Sequence, residues 1–316
     1  MTFAMTEVLD LDGAATLLLD TKWGRRASAE RVHVGVNKAT WRVADGWLTC
    51  DVARRAGQVA RMHRLLARLS ATPGLDIDVP VVIPTREGEE LVRYADRVWW
   101  LTRHVDGRQP DPRSMADTVA VASGLARLHG ALRTLPDGLA VVDDTVVSLF
   151  ERATDLVASG RLAFSPDDRK VLSHAEAVAR AWLPRLVAEG PQLIHGDPAN
   201  PNLRVRDEPV RLGGVLDWDQ ARRDVVLADL ATVAQTVVFR SGTTAPRESL
   251  DEMAEAYTAA GGRRFTRHEV LAGLILVKFE SIAHHGTRYL HGETDRAMVT
   301  SQVDKIRIVV DLYESP

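Results

Sequence analysis

Asp197 and Asn202 stand five residues apart in Leu193-Ile194-His195-Gly196-Asp197-Pro198-Ala199-Asn200-Pro201-Asn202-Leu203, and two further acids follow in Val215-Leu216-Asp217-Trp218-Asp219. The spacing places an Asp and an Asn on a tight polar loop between apolar, strand-like runs, with Asp217 at the end of the next run. A carboxylate can accept a hydroxyl proton, and an Asn with an Asp offers the hard oxygen ligands that suit Mg2+ beside phosphate groups. The same residue types also form turns in proline-rich loops, so either segment alone fits a plain loop as well as phosphate chemistry.

The elements around these residues fall into two halves. Residues 14–23 read as a short apolar helix. Residues 31–34, 40–43 and 47–52 read as strands rich in β-branched and aromatic residues, with Ala44-Asp45-Gly46 as a hairpin turn between the last two. Val59, Met62, Leu65, Leu66 and Leu69 recur at helical spacing over 53–70, and strands are expected at 79–83 and 98–104. The first half is therefore a small five-stranded sheet with one packed helix. The second half is mostly helical. Ser114 with Asp117 starts one helix, and further helices are expected over 147–159, 168–189, 227–239, 247–260 and 267–284. The fold class is α+β, with a small sheet-plus-helix lobe over residues 1–105 and a helical lobe over 106–316.

The 316 residues are 45% apolar and 26% charged, with a net charge of −3, which argues against a strongly basic nucleic-acid binder. No apolar run reaches the roughly 20 residues that span a bilayer, so no membrane partner is expected. Acids at Glu7, Asp10 and Asp12 stand where a signal peptide would carry bases, and the single cysteine, Cys50, fits a reducing compartment; a cytoplasmic protein is expected. The other histidines show no spacing that suits a metal hydrolase, since His284 and His285 cannot face one site from a regular helix.

Taken together, the segments resemble those of the aminoglycoside phosphotransferase and choline-kinase type enzymes, relatives of the protein kinases. His195, Gly196, Asp197 and Asn202 match the family's H-G-D-x-x-x-x-N loop. Leu216-Asp217-Trp218-Asp219 matches its metal-binding motif, and Asp229-Leu230-Ala231 its later D-L-A. Leu125-Ala126-Arg127-Leu128-His129 and His104-Val105-Asp106-Gly107 match two more signatures in family order. The resemblance implies a two-lobed, protein-kinase-like fold and a phosphotransferase with an alcohol acceptor, using ATP (GTP not excluded) and Mg2+. It implies Asp197 as catalytic base, Asn202 and Asp217 as metal ligands, and His195 and Asp229 as structural supports of the loop. Arg103 and Val105 would offer backbone groups to the nucleobase, and the turn containing Asn37 and Lys38 would cover the phosphates.

One departure stands out. The family carries a lysine on the third strand, paired with a glutamate on the next helix. Here Cys50 falls at the expected lysine position, and no acid occurs between Val52 and Leu75. Three readings remain open. Another cation (Lys38, Arg42, Arg54 or Arg55) holds the phosphates; or the chain is a non-catalytic, pseudokinase-like binding module; or the strand alignment is displaced. Survival of the loop Asp, the Asn and the metal Asp favours the first, with Lys38 leading as a catalytic cation. The acceptor is read as a small molecule such as an antibiotic or metabolite, with Ser or Thr of a precursor peptide in lanthipeptide-like maturation as the alternative. The net charge of −5 after residue 105 is small for a pocket built around a polycation.

Overall fold

Short β-branched and aromatic runs at the start of the chain pair into one antiparallel sheet. The computed structural model describes residues 10–26, 28–32, 38–188, 190–239 and 246–315. Helix α1 (Leu11–Thr21) is capped by Asp10, which accepts from the N–H groups of Asp12 and Gly13. Strands β1 (Glu30–Val32), β2 (Ala39–Val43) and β3 (Gly46–Val52) follow, then α2 (Ala56–Ser70), β4 (Val82–Ile83), β5 (Val92–Tyr94) and β6 (Arg97–Arg103). The sheet order is β1-β2-β3-β6, and β4 and β5 pair one after the other along the free side of β6. Among the described residues the sheet thus has six strands where five are expected. The extra one, β5, is a three-residue Val-Arg-Tyr run, too short and polar to read as a strand. Its turn to β6 uses Ala95 and Asp96, both at positive φ, rather than an Asn-Gly pair.

The two faces of β3 differ in what they meet. Leu48 and Cys50 belong to the apolar cluster formed with Ala15, Leu18 and Leu19 of α1 and with the stacked Trp41 and Trp99. Thr49 lies opposite Trp100 in register, and Trp100 contacts His63 of α2. The face toward α2 is therefore that of Thr49 and Asp51, whereas Cys50 points toward α1. Burial pushes the Cys50 thiol up to about 11, which keeps it protonated and inert. Asp51 pairs with Arg55 at 2.9 Å and accepts the N–H of Val52 at 2.7 Å. It does not cap α2 through its side chain.

The chain divides into two compact units: the first runs to Ala71 and resumes over Val79–Val105, and the second holds Thr72–Asp78 and everything from Asp106 onward. The second unit is built from α3 (Met115–Leu132), α4 (Val146–Ala158), α5 (Pro166–Val187), β7 (Gln192–Ile194), β8 (Leu203–Arg206), β9 (Arg211–Val215), β10 (Arg222–Asp224), α6 (Val226–Val238), α7 (Pro246–Ala259), α8 (Arg267–Leu290) and α9 (Arg296–Glu314). β8 pairs with β9, and β7 with β10. Ser114 caps α3 by accepting from the Asp117 N–H at 3.1 Å. The Asp117 carboxylate turns instead to Arg108, which also holds Asp207 at 2.8 Å. That clamp fixes the segment after Gly107 beside β8, where Arg108 and Val205 exchange backbone hydrogen bonds. Helix α9 goes beyond the sequence reading; its stripe of Val299, Val303, Ile306 and Val310 is buried. Among the described residues, no helix is long and apolar enough to cross a membrane.

Candidate active site

The loop after β7 is fixed from below by one carboxylate. Asp229, in the first turns of α6 and fully buried, accepts the backbone N–H of His195 and of Gly196, each at 2.8 Å. Its Oδ2 also lies 3.0 Å from His129 Nε2, and His129 Nδ1 lies 2.7 Å from the Tyr257 hydroxyl. A chain of hydrogen bonds thus runs from α7 through α3 and α6 to the loop. Burial alone would raise the Asp229 carboxyl; the hydrogen bond and charge of His129, with His195 and the Gly196 N–H, hold it below its ordinary value.

His195 is locked by both ring nitrogens. Its Nε2–H donates to the Leu216 carbonyl at 2.8 Å, and its Nδ1 accepts the Asp197 N–H at 3.2 Å. Those partners fix one neutral tautomer, and burial lowers the ring's affinity for a proton. Trp218 packs edge-on at 4.6 Å between ring centroids. Gly196 has φ +85°, and a Cβ there would stand 2.1 Å from the Gln220 carbonyl oxygen. Gly196→Ala is therefore expected to cost about 1–3 kcal/mol of stability through backbone strain and to displace the loop. Thermal melting and steady-state turnover of the variant check this.

The candidate side chains project from this frame. Asn202 Nδ2 donates to the Asp197 carbonyl at 3.0 Å and to its carboxylate at 3.2 Å. The Asn202 carbonyl accepts the Leu216 N–H at 2.7 Å, which sets Asn202 beside Asp217. Asp217 sits at φ +56°, a left-handed conformation that Asp tolerates better than most residues, with its side chain exposed. Burial, then the carboxylates of Asp217, Glu280, Asp219 and Asp229, push the Asp197 carboxyl up to about 7. This crowding of oxygens calls for a cation. Among the described residues no three His, Cys, Asp or Glu side chains form a metal cage. Asn202 and Asp217 do fit an Mg2+ completed by phosphate oxygens, the usual way that ion is held.

A second frame lies behind the loop. Arg222 of β10 is 1% exposed and holds Glu280 of α8 bidentately at 2.9 and 3.0 Å, while its Nε donates to Asp224 at 2.9 Å. Asp224 in turn accepts the first N–H of α4, that of Val146, at 2.6 Å. The Arg222–Glu280 pair, and the roles of His129 and Tyr257, escape the sequence reading; His129 closes the Leu-Ala-x-Leu-His run, the one signal pointing to it.

His195, Asp197, Asn202, Asp217 and Asp229 all come together in the second unit. The other candidates belong to the first. Lys38 is half-buried just before β2, Arg103 ends β6 with its side chain exposed, and Val105 is buried. Asn37 lies outside the described residues. Arg42 pairs with Glu30, and Arg54 is exposed.

A model of the phosphotransferase enzyme family matches residues 26–272, and the chain belongs to that family. A search of curated proteins gives no match. Among solved structures, the chain is similar to a microcompartment-associated aminopropanol kinase (20% identity, 96% of each chain, TM-score 0.72). It is also similar to an aminoglycoside phosphotransferase, APH(2"), in complex with GDP and kanamycin (14% identity, 95% of this chain and 99% of that one, TM-score 0.72). A third is the amicoumacin kinase hAmiN with AMP-PNP, Ca2+ and Ami (12% identity, 94% of this chain and 93% of that one, TM-score 0.69). The fold is that of the protein-kinase-like phosphotransferases.

Proposed function

We propose that the chain is an Mg2+-dependent kinase that transfers the γ-phosphoryl group of ATP to a hydroxyl of a small molecule in the cytoplasm. The observation that carries this reading is the contact set Asp197–Asn202–Leu216, which brings a proton acceptor and one hard oxygen ligand on the loop pinned by Asp229 beside a second, Asp217, in the turn after β9. Asp197 orients the acceptor hydroxyl and takes its proton as the oxygen bonds to phosphorus and the bond to the β-phosphate oxygen breaks, releasing ADP. Burial and the neighbouring carboxylates raise the proton affinity of Asp197 above that of a free carboxylate in the metal-free chain, the direction a general base needs. Asn202 and Asp217 would hold Mg2+, which neutralises the charge of the nucleotide phosphates. His195 and Asp229 do no chemistry; they fix the backbone that aims Asp197. The nucleotide-binding roles of Asn37, Lys38, Arg103 and Val105, and of residues 1–105 as the nucleotide-covering lobe, are part of the same proposal. Transfer is tested by incubating the protein with ATP, Mg2+ and candidate hydroxyl compounds and reading a mass gain of one phosphoryl group. A protein that neither binds nor turns over ATP would be a binding module.

The missing strand lysine makes a further prediction. Strand β3 carries no lysine on either face, and Lys38 is the lysine in the turn expected to cover the phosphates. Lys38 remains the leading cation for the phosphates. Lys38→Ala is expected to lower turnover about a hundredfold, the effect of losing one preorganised donor, with little change in melting temperature. Full activity in Lys38→Ala would assign the phosphates to another residue.

A further inference from the structure

A cavity of about 440 Å3 opens beside the catalytic loop, walled by Asn200, by Pro112 and Arg113, and by Gln235, Thr236 and Phe239 at the end of α6. None of the described residues lining it is acidic. Its chemistry is set from behind by Lys278 of α8, a side chain 2% exposed that donates from Nζ to Gln235 Oε1, with Gln302 Oε1 at 3.5 Å. Burial and the neighbouring Lys305 pull Lys278 down to about 7, and in either protonation state it keeps an N–H for Gln235. With its carbonyl turned to Lys278, the Gln235 amide has its NH2 group left to offer a ligand. The ring of Phe239 has Lys278 and Lys305 at 5.6 and 5.9 Å from its centroid. Among the described residues, Asn200 Oδ1 is buried at the wall of the cavity without a hydrogen-bond partner. The described walls therefore combine two amides, an aromatic face and nearby cations and carry no carboxylate of their own, while Glu280 and Asp197 act on Lys278 from beyond them.

Resting on the kinase reading above, we propose that this cavity takes the phosphate acceptor and selects a hydroxyl compound whose nitrogens are acylated or absent, excluding free amines. A carbonyl of such a compound accepts from Gln235, and an amide N–H or a hydroxyl satisfies Asn200. A free amine brings a further positive charge to a site already facing Arg113, Lys278 and Lys305. Selection against the amine operates through repulsion as much as through the hydrogen bonds gained by the amide.

The test uses matched pairs: D-glucosamine and N-acetyl-D-glucosamine, serinamide and N-acetylserinamide, and kanamycin and its fully N-acetylated form, each with ATP and Mg2+. The acylated member is expected to show at least tenfold higher kcat/KM. Gln235→Glu, which replaces the outward amide by a carboxylate, is expected to move that ratio at least tenfold toward the amine. Thr236→Asp, on the same wall, is expected to act in the same direction. Each ratio is taken within one preparation, so partial unfolding cancels. Equal or better turnover of the free amines overturns the proposal, as does an unchanged ratio in both variants. Failure of every acylated compound to react, in a preparation that binds ATP by calorimetry, also overturns it. Absence of ATP binding overturns the kinase reading itself.

Discussion

Asp197→Ala is expected to lower kcat by about three orders of magnitude, the middle of the range for losing a positioned general base. Asp197→Asn should fall as far, because the amide keeps the shape and loses the proton-accepting site. Neither change should unfold the protein. The Asp197 carboxyl is pushed up to about 7, first by burial and then by Asp217, Glu280, Asp219 and Asp229. Its ionised form is disfavoured in the folded chain, so removing it relieves repulsion rather than breaking a support. In the absence of nucleotide and metal, the melting temperature of either variant is expected to equal or exceed that of the wild type above pH 7. Asp217→Ala should lose activity to a similar degree for a different reason, the loss of a metal ligand, and extra Mg2+ should recover part of it. Extra Mg2+ should recover nothing in Asp197→Ala. Steady-state kinetics over an Mg2+ titration separates the two roles, and recovery of both variants to the same extent would merge them.

What could be read from the sequence was whatever the chain specifies locally. The loop from His195 to Asn202 and the turn at Asp217 combine Gly, Pro, Asp and Asn at spacings that few backbones satisfy, and both are where the spacing puts them. Most helices of the second unit carry stripes and caps of their own, so their ends agree to within a few residues. The exceptions are long-range. Arg222 and Glu280 are 58 residues apart, and His129 and Tyr257 are 128 apart; neither pair leaves a local pattern. Helix α9 has an apolar stripe, but it is made largely of β-branched residues spaced by Thr, Ser and Asp, a weak helical signal. Cys50 illustrates a subtler limit. Alternation along β3 tells which residues share a face, but not which face meets α2. The structure turns Thr49 and Asp51 that way and leaves Cys50 in the α1 cluster. The lysine is missing from the strand on either count.

Asp229→Ala is expected to be the most damaging substitution for stability, costing about 3–5 kcal/mol, the range for breaking a buried charged pair from one side. The carboxylate serves the His195 and Gly196 N–H groups and His129 at once, and alanine leaves all three buried without their acceptor. Tyr257 then loses the ordered imidazole that it contacts at 2.7 Å. Asp229→Asn fills the same volume and keeps one acceptor oxygen, so it should lose less stability while still releasing part of the loop. The pH dependence follows from the direction of the shift. The folded carboxyl is held below its ordinary value of 3.8, so Asp229 contributes stability that is fully present above that value and is lost as pH falls through the folded pKa. The stability gap between wild type and Asp229→Asn should therefore be flat from neutral pH to about 5 and shrink below about 4. Denaturant unfolding across that range measures it directly. A gap that stayed constant down to pH 3 would mean that Asp229 supports the loop through packing alone, with its charge contributing nothing.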